Sequence, residues 1–232
     1  PAASARHLWL DGYLDQLLTS DAAGTAAREP ARLRRYFEAL ALQSAGLAEQ
    51  KTLYDAAGID HKTADAYERL LVNLLVLELV PAWFTNRLSR LVKGAKRYLV
   101  DPSLIAAALR LDVAAVLRDG NLLGRVLDTF VAAQLRPELA LSQTRPRLYH
   151  LRERNERREL DLLVELGAHQ VVAIEVKATA APSRDDGRHL AWLRDVLGDR
   201  FVAGAVLHTG PGRFILGERI VAAPIASIWG PR

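Results

Sequence analysis

The chain has 232 residues and a formal net charge of +4; half of its residues are hydrophobic and a quarter are charged. This composition is ordinary for a soluble globular protein with one or two domains. The absence of cysteine excludes disulfide bonds and thiolate metal sites. No apolar run approaches the roughly 20 residues of a membrane-spanning helix. We therefore expect a cytoplasmic protein without a membrane partner, and the mildly basic charge permits nucleic-acid binding without establishing it.

Two amphipathic helices are predicted at the start of the chain. A second helix is expected to begin after Pro30, with Leu33 and Phe37 on its buried face. The first helix, within residues 6–20, has leucines at helical spacing, namely Leu10, Leu14, Leu17 and Leu18.

A helix-turn-helix is predicted next. Residues 52–57 and 61–75 have the pattern of a short and a longer helix, and Gly58 lies in the turn between them. Two strands, 76–84 and 96–100, would follow, joined by a basic hairpin, and this order is that of a winged helix. A winged helix that packs against protein rather than DNA is the alternative. The residues expected to contact nucleic acid are Lys62, Thr63 and Tyr67 on the second helix and Arg87, Arg90 and Lys93 in the hairpin.

A long amphipathic helix is predicted after a domain boundary at residues 118–121. It covers residues 124–135 and has Asp128 among its conspicuous polar positions. Pro137 is expected to end it, since proline lacks the backbone N–H that a helix interior needs.

Polar side chains meet on two strands in the C-terminal part. Residues 158–165 and 171–177 alternate apolar and polar side chains, which predicts two half-buried strands joined by a short hairpin turn. The pairing would bring Asp161, Glu175 and Lys177 together on one side of a sheet. Two carboxylates and a lysine at one place can hold a hard divalent cation and orient a water molecule. A carboxylate–lysine ion pair on a solvated sheet face is the alternative.

The remaining elements complete the expected fold class. A strand at 148–152 precedes the hairpin, a helix at 185–197 follows it, and further strands are expected up to residue 225. We predict an α+β protein in which an N-terminal helical and winged-helix domain precedes an α/β domain with a mixed sheet. Four histidines of this part show no metal-ligand spacing and are interpreted as surface or turn residues: His150, His169, His189 and His208.

These motifs resemble a known family arrangement. Asp161, with Glu175-Val176-Lys177 on the next strand, resembles the signature of the restriction-endonuclease-like (PD-(D/E)xK) nuclease superfamily. Over nearly its whole length the chain also resembles the C-terminal region of bacterial and archaeal AAA-type ATPases. The segments that carry this second resemblance are WLDGYL at 9–14, KRYLVD at 96–101, GRVLDTFV at 124–131, RELD at 158–161, IEVK at 174–177, GAVLHTG at 204–210 and PIASIW at 224–229.

The resemblance implies a set of site residues. Asp161, Glu175 and Asp128 would bind Mg²⁺, and Lys177 would position or activate the attacking water. These four residues are the expected catalytic set, although the family more often has Glu at the position of Asp128.

The resemblance also implies a division of the chain. Residues 1–29 would be the remaining lid helix of an ATPase, 30–118 the helical winged-helix domain, and 119–232 the restriction-endonuclease-like domain. ATP would bind only through an N-terminal domain outside this chain, because these residues contain no phosphate-binding loop. The fragment alone is therefore expected to have no ATPase activity.

Three functions are compatible with these patterns. The first is Mg²⁺-dependent cleavage of nucleic acid by the restriction-endonuclease-like domain. The second is a catalytically inactive module that binds DNA or a protein partner and regulates the absent ATPase domain. The third is a dimerisation platform for that ATPase, which would make the protein a homo-oligomer.

Overall fold

The computed structural model describes residues 3–19, 29–84, 94–153 and 158–230. The chain forms two compact units, and each is discontinuous in sequence. The first combines Pro1–Leu79 with Lys96–Thr129, and the second combines Val80–Ala95 with Phe130–Arg232. We call them the helical unit and the sheet unit. The predicted α+β class, with a helical N-terminal part and a mixed sheet in the C-terminal part, is confirmed.

Helices dominate the helical unit. The leucine spacing predicted for the first helix is confirmed, because Leu10, Leu14 and Leu18 are buried while Leu8 and Trp9 are exposed. The first and second helices both pack against α5. The elements of this unit are α1 (Ala3–Thr19), α2 (Pro30–Leu42), α3 (Gln50–Ala57), α4 (His61–Asn73), β1 (Leu77–Val80), β2 (Lys96–Leu99), α5 (Ser103–Ala108), α6 (Val113–Arg118) and the first part of α7 (Gly120–Leu141).

The predicted helix-turn-helix is present as α3 and α4. α3 ends at Gly58, whose φ of 64° lies in the left-handed region that glycine adopts without strain. α4 begins after Asp60, whose carboxylate accepts a hydrogen bond from the Thr63 backbone N–H. β1 and β2 then pair in a two-stranded sheet. The element order is therefore that of a winged helix, although β1 is shorter than the strand predicted at 76–84.

The sheet unit is built on six strands in the order β3-β4-β5-β6-β8-β7. β5, β6 and β8 run parallel, whereas β3–β4, β4–β5 and β7–β8 are antiparallel pairs. The helix α8 connects β5 to β6, which is the usual crossover between parallel neighbours. The elements are β3 (Arg147–Arg152), β4 (Glu159–Glu165), β5 (Val171–Lys177), α8 (Arg188–Leu197), β6 (Phe201–His208), β7 (Phe214–Gly217) and β8 (Ile220–Pro224).

The two strands of the predicted hairpin, β4 and β5, are more buried than their alternation indicates. α8 places Leu190 and Leu193 in one hydrophobic core with Leu163 and Ala173, so it covers that face of the sheet. Leu162, whose neighbours in the strand point to the opposite face, is also fully buried. The hairpin is confirmed, but the prediction that its strands are half-exposed is wrong.

α7 is longer than the predicted helix of residues 124–135. It continues through Pro137 to Leu141, so the prediction that Pro137 ends the helix is wrong. A proline removes only one backbone donor, and a long helix can carry that loss. The division between the two units falls within α7, between Thr129 and Phe130.

A short segment before the basic hairpin joins the sheet unit. Its Pro81 carbonyl accepts a hydrogen bond of 3.0 Å from the His150 N–H, and the Trp83 N–H donates one of 2.7 Å to the His150 carbonyl. Trp83 is buried in the core of this unit. Residues 81–83 thus lie along β3, at one edge of the sheet. No helix in the described part of the chain is long and apolar enough to cross a membrane.

Candidate functional site

Asp161 and Glu175 lie where the β4–β5 ladder ends. The register pairs Leu162 with Ile174, and beyond this pair the Asp161 Oδ2 atom accepts a hydrogen bond of 2.9 Å from the Val176 backbone N–H. At this end of the ladder the Asp161 carboxylate, in place of a backbone carbonyl of β4, accepts the hydrogen bond from β5. Burial, and after it the nearby charge of Asp161, raises the pKa of Glu175. The hairpin thus brings the two predicted acids together.

Glu175 is a buried carboxylate, with only 3% of its surface exposed. Its Oε2 atom lies 3.2 Å from the Lys177 Nζ atom, and its Oε1 atom has no hydrogen-bond partner among the described residues. A carboxylate on a solvated sheet face would be exposed to water. The carboxylate–lysine ion pair of the alternative is therefore present between Glu175 and Lys177, but its carboxylate is buried and does not lie on a solvated face.

Lys177 is the accessible member of the cluster, with 36% of its side chain exposed. Burial lowers the pKa of Lys177, but the negative charges of Glu175 and Asp161 outweigh that effect, so its pKa is raised overall. Asp186, in the short 3₁₀ turn before α8, contributes in the same direction. The ammonium group therefore stays charged at neutral pH and can donate hydrogen bonds to an anion or a water molecule.

His189 belongs to the cluster, and the sequence analysis missed it. It is the second residue of α8, and its Nδ1 atom lies 3.6 Å from Glu175 Oε1 and 2.9 Å from the carbonyl oxygen of Glu159. The Glu175 carboxylate is the largest cause of a raised pKa at His189, against the opposing effect of burial. No sequence spacing signals this contact, because it forms only when α8 folds back across β4 and β5.

Two other histidines were also misinterpreted as surface or turn residues. His150 is buried on β3, and His208 is fully buried at the end of β6, where its Nδ1 atom accepts a hydrogen bond of 3.0 Å from the Gly210 N–H. His169 is exposed in the turn between β4 and β5, as predicted.

Asp128 lies in the helical unit, where a buried polar cluster surrounds it. The Tyr98 hydroxyl donates to its Oδ1 atom at 3.3 Å, and the Lys96 Nζ atom lies 3.7 Å from its Oδ2 atom. Tyr98 and Lys96 are both almost completely buried. Asp128 thus has buried partners within its own unit, and its predicted role as a metal ligand stays a prediction.

The expected nucleic-acid contacts on α4 are only partly available. Lys62 is exposed. Tyr67 is only 4% exposed and packs near Tyr36 in the helical core, so its side chain is not available for the predicted contact with DNA. Thr63 uses both its N–H and its hydroxyl on Asp60 as part of the helix cap. The hairpin residues Arg87, Arg90 and Lys93 lie outside the described residues.

Two carboxylates of the sheet unit, those of Asp161 and Glu175, belong to the cluster. Within residues 3–19, 29–84, 94–153 and 158–230, no three or more His, Asp or Glu side chains are grouped so that they could hold a metal ion. The chemistry available is thus a pair of acids, Asp161 and Glu175, beside one cationic lysine and one histidine.

Comparisons with known proteins give matches along most of the chain. Two curated mycobacterial proteins are similar to it: the uncharacterized protein Mb2031c of Mycobacterium bovis and the uncharacterized protein Rv2008c of Mycobacterium tuberculosis. Each is 31% identical over 222 residues, which cover 95% of this chain and 48% of the relative. The chain therefore spans about half the length of these relatives.

Two family models also match. Residues 1–115 match a domain of unknown function, DUF8612, and residues 123–228 match another, DUF4143. The cluster of Asp161, Glu175, Lys177 and His189 lies within the second match. The chain is thus similar to two families of domains of unknown function that follow one another along it.

Proposed function

We propose that the sheet unit hydrolyses nucleic-acid phosphodiester bonds with Mg²⁺, using Asp161, Glu175 and Lys177. The observation that carries the proposal is the state of Glu175: a carboxylate 3% exposed, with one oxygen lacking a hydrogen-bond partner among the described residues. Burying a charged group is costly unless it is fully paired. Perturbed ionisable groups of this kind concentrate at functional sites.

The donor set fits Mg²⁺. This ion is usually bound by one or two carboxylates while it keeps several water molecules, so Asp161 and Glu175 suffice without a third acid. The Oε1 atom of Glu175 is a buried acceptor that lacks a donor. Mg²⁺ would supply charge stabilisation at the phosphate and a more acidic water molecule.

Lys177 would act as an electrostatic group rather than as a general base. Its pKa is raised overall by Glu175 and Asp161, so its amine is protonated at neutral pH before a metal ion binds. The exposed ammonium group can instead donate to a phosphate oxygen or hold the attacking water.

A cleavage assay tests this function. The protein is incubated with labelled single- and double-stranded DNA and RNA in Mg²⁺, in Mn²⁺ and in EDTA. We expect metal-dependent cleavage by the wild type, a loss of about 100-fold or more in Lys177→Ala, and wild-type rates in Lys51→Ala. Lys51 is a suitable control because it is an exposed lysine that pairs with Asp55 in the helical unit. Equal rates in wild type and Lys177→Ala would exclude this mechanism.

The second candidate is a catalytically inactive module that binds DNA or a protein partner. The observation in its favour is that Glu175 already has two basic neighbours within the protein, Lys177 at 3.2 Å and His189 at 3.6 Å. Nucleic-acid binding without cleavage by the wild type, unchanged in Lys177→Ala, would support this candidate over the first.

We also propose that a nucleotide-binding domain outside this chain works together with these two units. The resemblance to the C-terminal region of AAA-type ATPases supports this proposal, as does the fact that the curated relatives are about twice as long as the chain. The test is to compare the ATPase rate of a full-length relative with and without nucleic acid, before and after the substitution that corresponds to Lys177→Ala. A rate that nucleic acid does not change would count against coupling between the domains.

A further inference from the structure

We propose that His189 is a positioning residue that orients the Glu175 carboxylate for metal binding. This inference rests on the proposed function, because it assigns a role within the same site. Besides its contact with Glu175, His189 makes a hydrogen bond with the backbone carbonyl oxygen of Glu159. This hydrogen bond shows which ring nitrogen carries the proton.

The ring of His189 ties α8 to both strands of the hairpin. Its Nδ1 atom lies 2.9 Å from the carbonyl oxygen of Glu159 on β4 and 3.6 Å from Glu175 Oε1 on β5. A carbonyl oxygen can only accept a hydrogen bond, so Nδ1 carries the proton. The Nδ1–H group of His189 thus lies near both the Glu159 carbonyl oxygen and the Glu175 carboxylate.

The other ring nitrogen is consistent with this tautomer. The Arg188 Nε–H group donates to His189 Nε2 at 3.3 Å, so Nε2 acts as an acceptor. Arg188 is itself held by Asp185, whose Oδ2 atom lies 2.6 Å from the Arg188 Nη1 atom. Contacts on both sides therefore set the orientation of the imidazole ring.

The consequence for Glu175 is geometric. Lys177 holds its Oε2 atom at 3.2 Å, and His189 Nδ1 faces its Oε1 atom. A carboxylate that an ion pair holds at one oxygen, and that a fixed N–H group faces at the other, loses less side-chain entropy when it binds a cation. Outer contacts that orient ligands in this way typically contribute about 10- to 100-fold to metal affinity.

A Mn²⁺ titration of the whole chain tests the role. We expect His189→Leu to bind Mn²⁺ at least about 10-fold more weakly than the wild type. His189→Asn should bind within about 3-fold, because the Asn side-chain amide places a donor close to the position of Nδ1. Thermal unfolding of each variant establishes that it is folded at the temperature of the titration.

His169→Asn is the matched control. His169 Nδ1 also lies 3.6 Å from a glutamate oxygen, Glu165 Oε1, but this histidine is half-exposed in the turn between β4 and β5. Its substitution should leave Mn²⁺ affinity unchanged. Wild-type affinity in His189→Leu would overturn the positioning role while leaving the proposed metal site intact.

A measurement without metal tests the positioning role of His189 separately from the proposed metal-dependent function. In ¹⁵N NMR spectra of the protein without metal, we expect the Nδ1-protonated tautomer at His189 and a change in its Nδ1 shift in Glu175→Gln. An Nε2-protonated ring, or an Nδ1 shift that Glu175→Gln leaves unchanged, would overturn the inference. If the wild type binds no Mn²⁺, the proposed function fails, and the NMR result alone decides whether His189 orients Glu175.

Discussion

The Glu175 carboxylate is held almost entirely out of water, between a lysine, a histidine and a second carboxylate. Lys177 and His189 favour its charged form, whereas burial and Asp161 disfavour it, and the raised pKa of Glu175 shows that the unfavourable effects are larger. The ionised side chain therefore destabilises the fold. Such a cost is expected where a residue serves binding or catalysis rather than stability.

Glu175→Gln should make the protein more stable at neutral pH. A raised pKa means that the native state binds more protons than the unfolded chain, so the free energy of unfolding falls as pH rises above the ordinary pKa of Glu. The raised pKa of His189 acts in the same sense: its stabilising contribution is complete below its ordinary pKa of 6.5 and is lost as pH rises through its native pKa.

Urea unfolding between pH 5 and 8 provides the measurement. We expect the wild type to lose stability across this range, and Glu175→Gln to be the more stable of the two at pH 8, with a flatter pH dependence. Asp195→Asn, which changes an exposed carboxylate on α8, should follow the wild type. A less stable Glu175→Gln would show that the carboxylate is a net structural asset.

Asp128→Ala should destabilise the helical unit. Asp128 faces the buried Lys96 ammonium group at 3.7 Å, and removing one partner of a buried ion pair typically costs about 3–5 kcal/mol because the other charge is left buried. The double change Asp128→Leu with Lys96→Met should recover most of this loss. Urea unfolding measures both effects. A weaker Mn²⁺ affinity in Asp128→Ala at unchanged stability would instead identify Asp128 as a metal ligand.

At the scale of elements, the α3–α4 pair shows how local sequence specifies local structure. Gly58 ends α3 in the left-handed conformation, and Asp60 begins α4 two residues later by capping Thr63. Both signals are read from single residues and their immediate neighbours, so this part of the fold could be predicted. The packing of Tyr67 into the helical core could not, because it depends on Tyr36 of α2, 31 residues earlier.

Asp60→Ala should destabilise α4 by about 1 kcal/mol, since the Thr63 N–H and hydroxyl would lose their common acceptor. Glu49→Ala is the matched control, because Glu49 occupies the same position before α3 but makes no capping hydrogen bond with its side chain. Thermal unfolding compares the two variants. An equal effect of both substitutions would mean that the Asp60 cap contributes nothing specific.

At the scale of the whole molecule, the two units interleave along the chain. The segment Val80–Ala95 belongs to the sheet unit although the helical unit continues with Lys96–Thr129 after it. Trp83 supports the assignment of this segment to the sheet unit. Its side chain is 4% exposed in the core of that unit, and its Nε1–H group donates a hydrogen bond of 3.2 Å to Glu165 Oε1. A division at residues 118–121 would therefore separate Trp83 from its core.

Trp83→Ala should destabilise the sheet unit by about 3–5 kcal/mol, as truncation of a buried tryptophan usually does. Hydrogen exchange followed by mass spectrometry locates the effect: we expect β3 and β4 to lose protection while α2 and α4 keep theirs. Trp9→Ala serves as control, since Trp9 is 65% exposed and should change little. Loss of protection in α2 and α4 alone would assign Trp83 to the helical unit.

Contacts between residues that are close in sequence could be predicted in this protein, whereas contacts between distant residues could not. The hairpin of β4 and β5 follows from the alternation of neighbouring residues, so Asp161, Glu175 and Lys177 could be grouped in advance. His189 could not be added, because its contacts with Glu159 and Glu175 span 30 and 14 residues and depend on how α8 crosses the sheet. The helical spacing around Asp128 predicts a helix, but it does not show that the N-terminal part of this helix belongs to one unit and the C-terminal part to the other.

The interleaved units also set an order of events during protein synthesis. Every residue of the helical unit has been made once the ribosome reaches Thr129, and units that are complete tend to fold first. Trp83 has been made by then as well, but its acceptor Glu165 comes 82 residues later. Once residues up to about 130 have left the ribosome, we therefore expect the helical unit to be folded while the segment that contains Trp83 is still without its partners. A chaperone would bind this segment until β3 and β4 emerge.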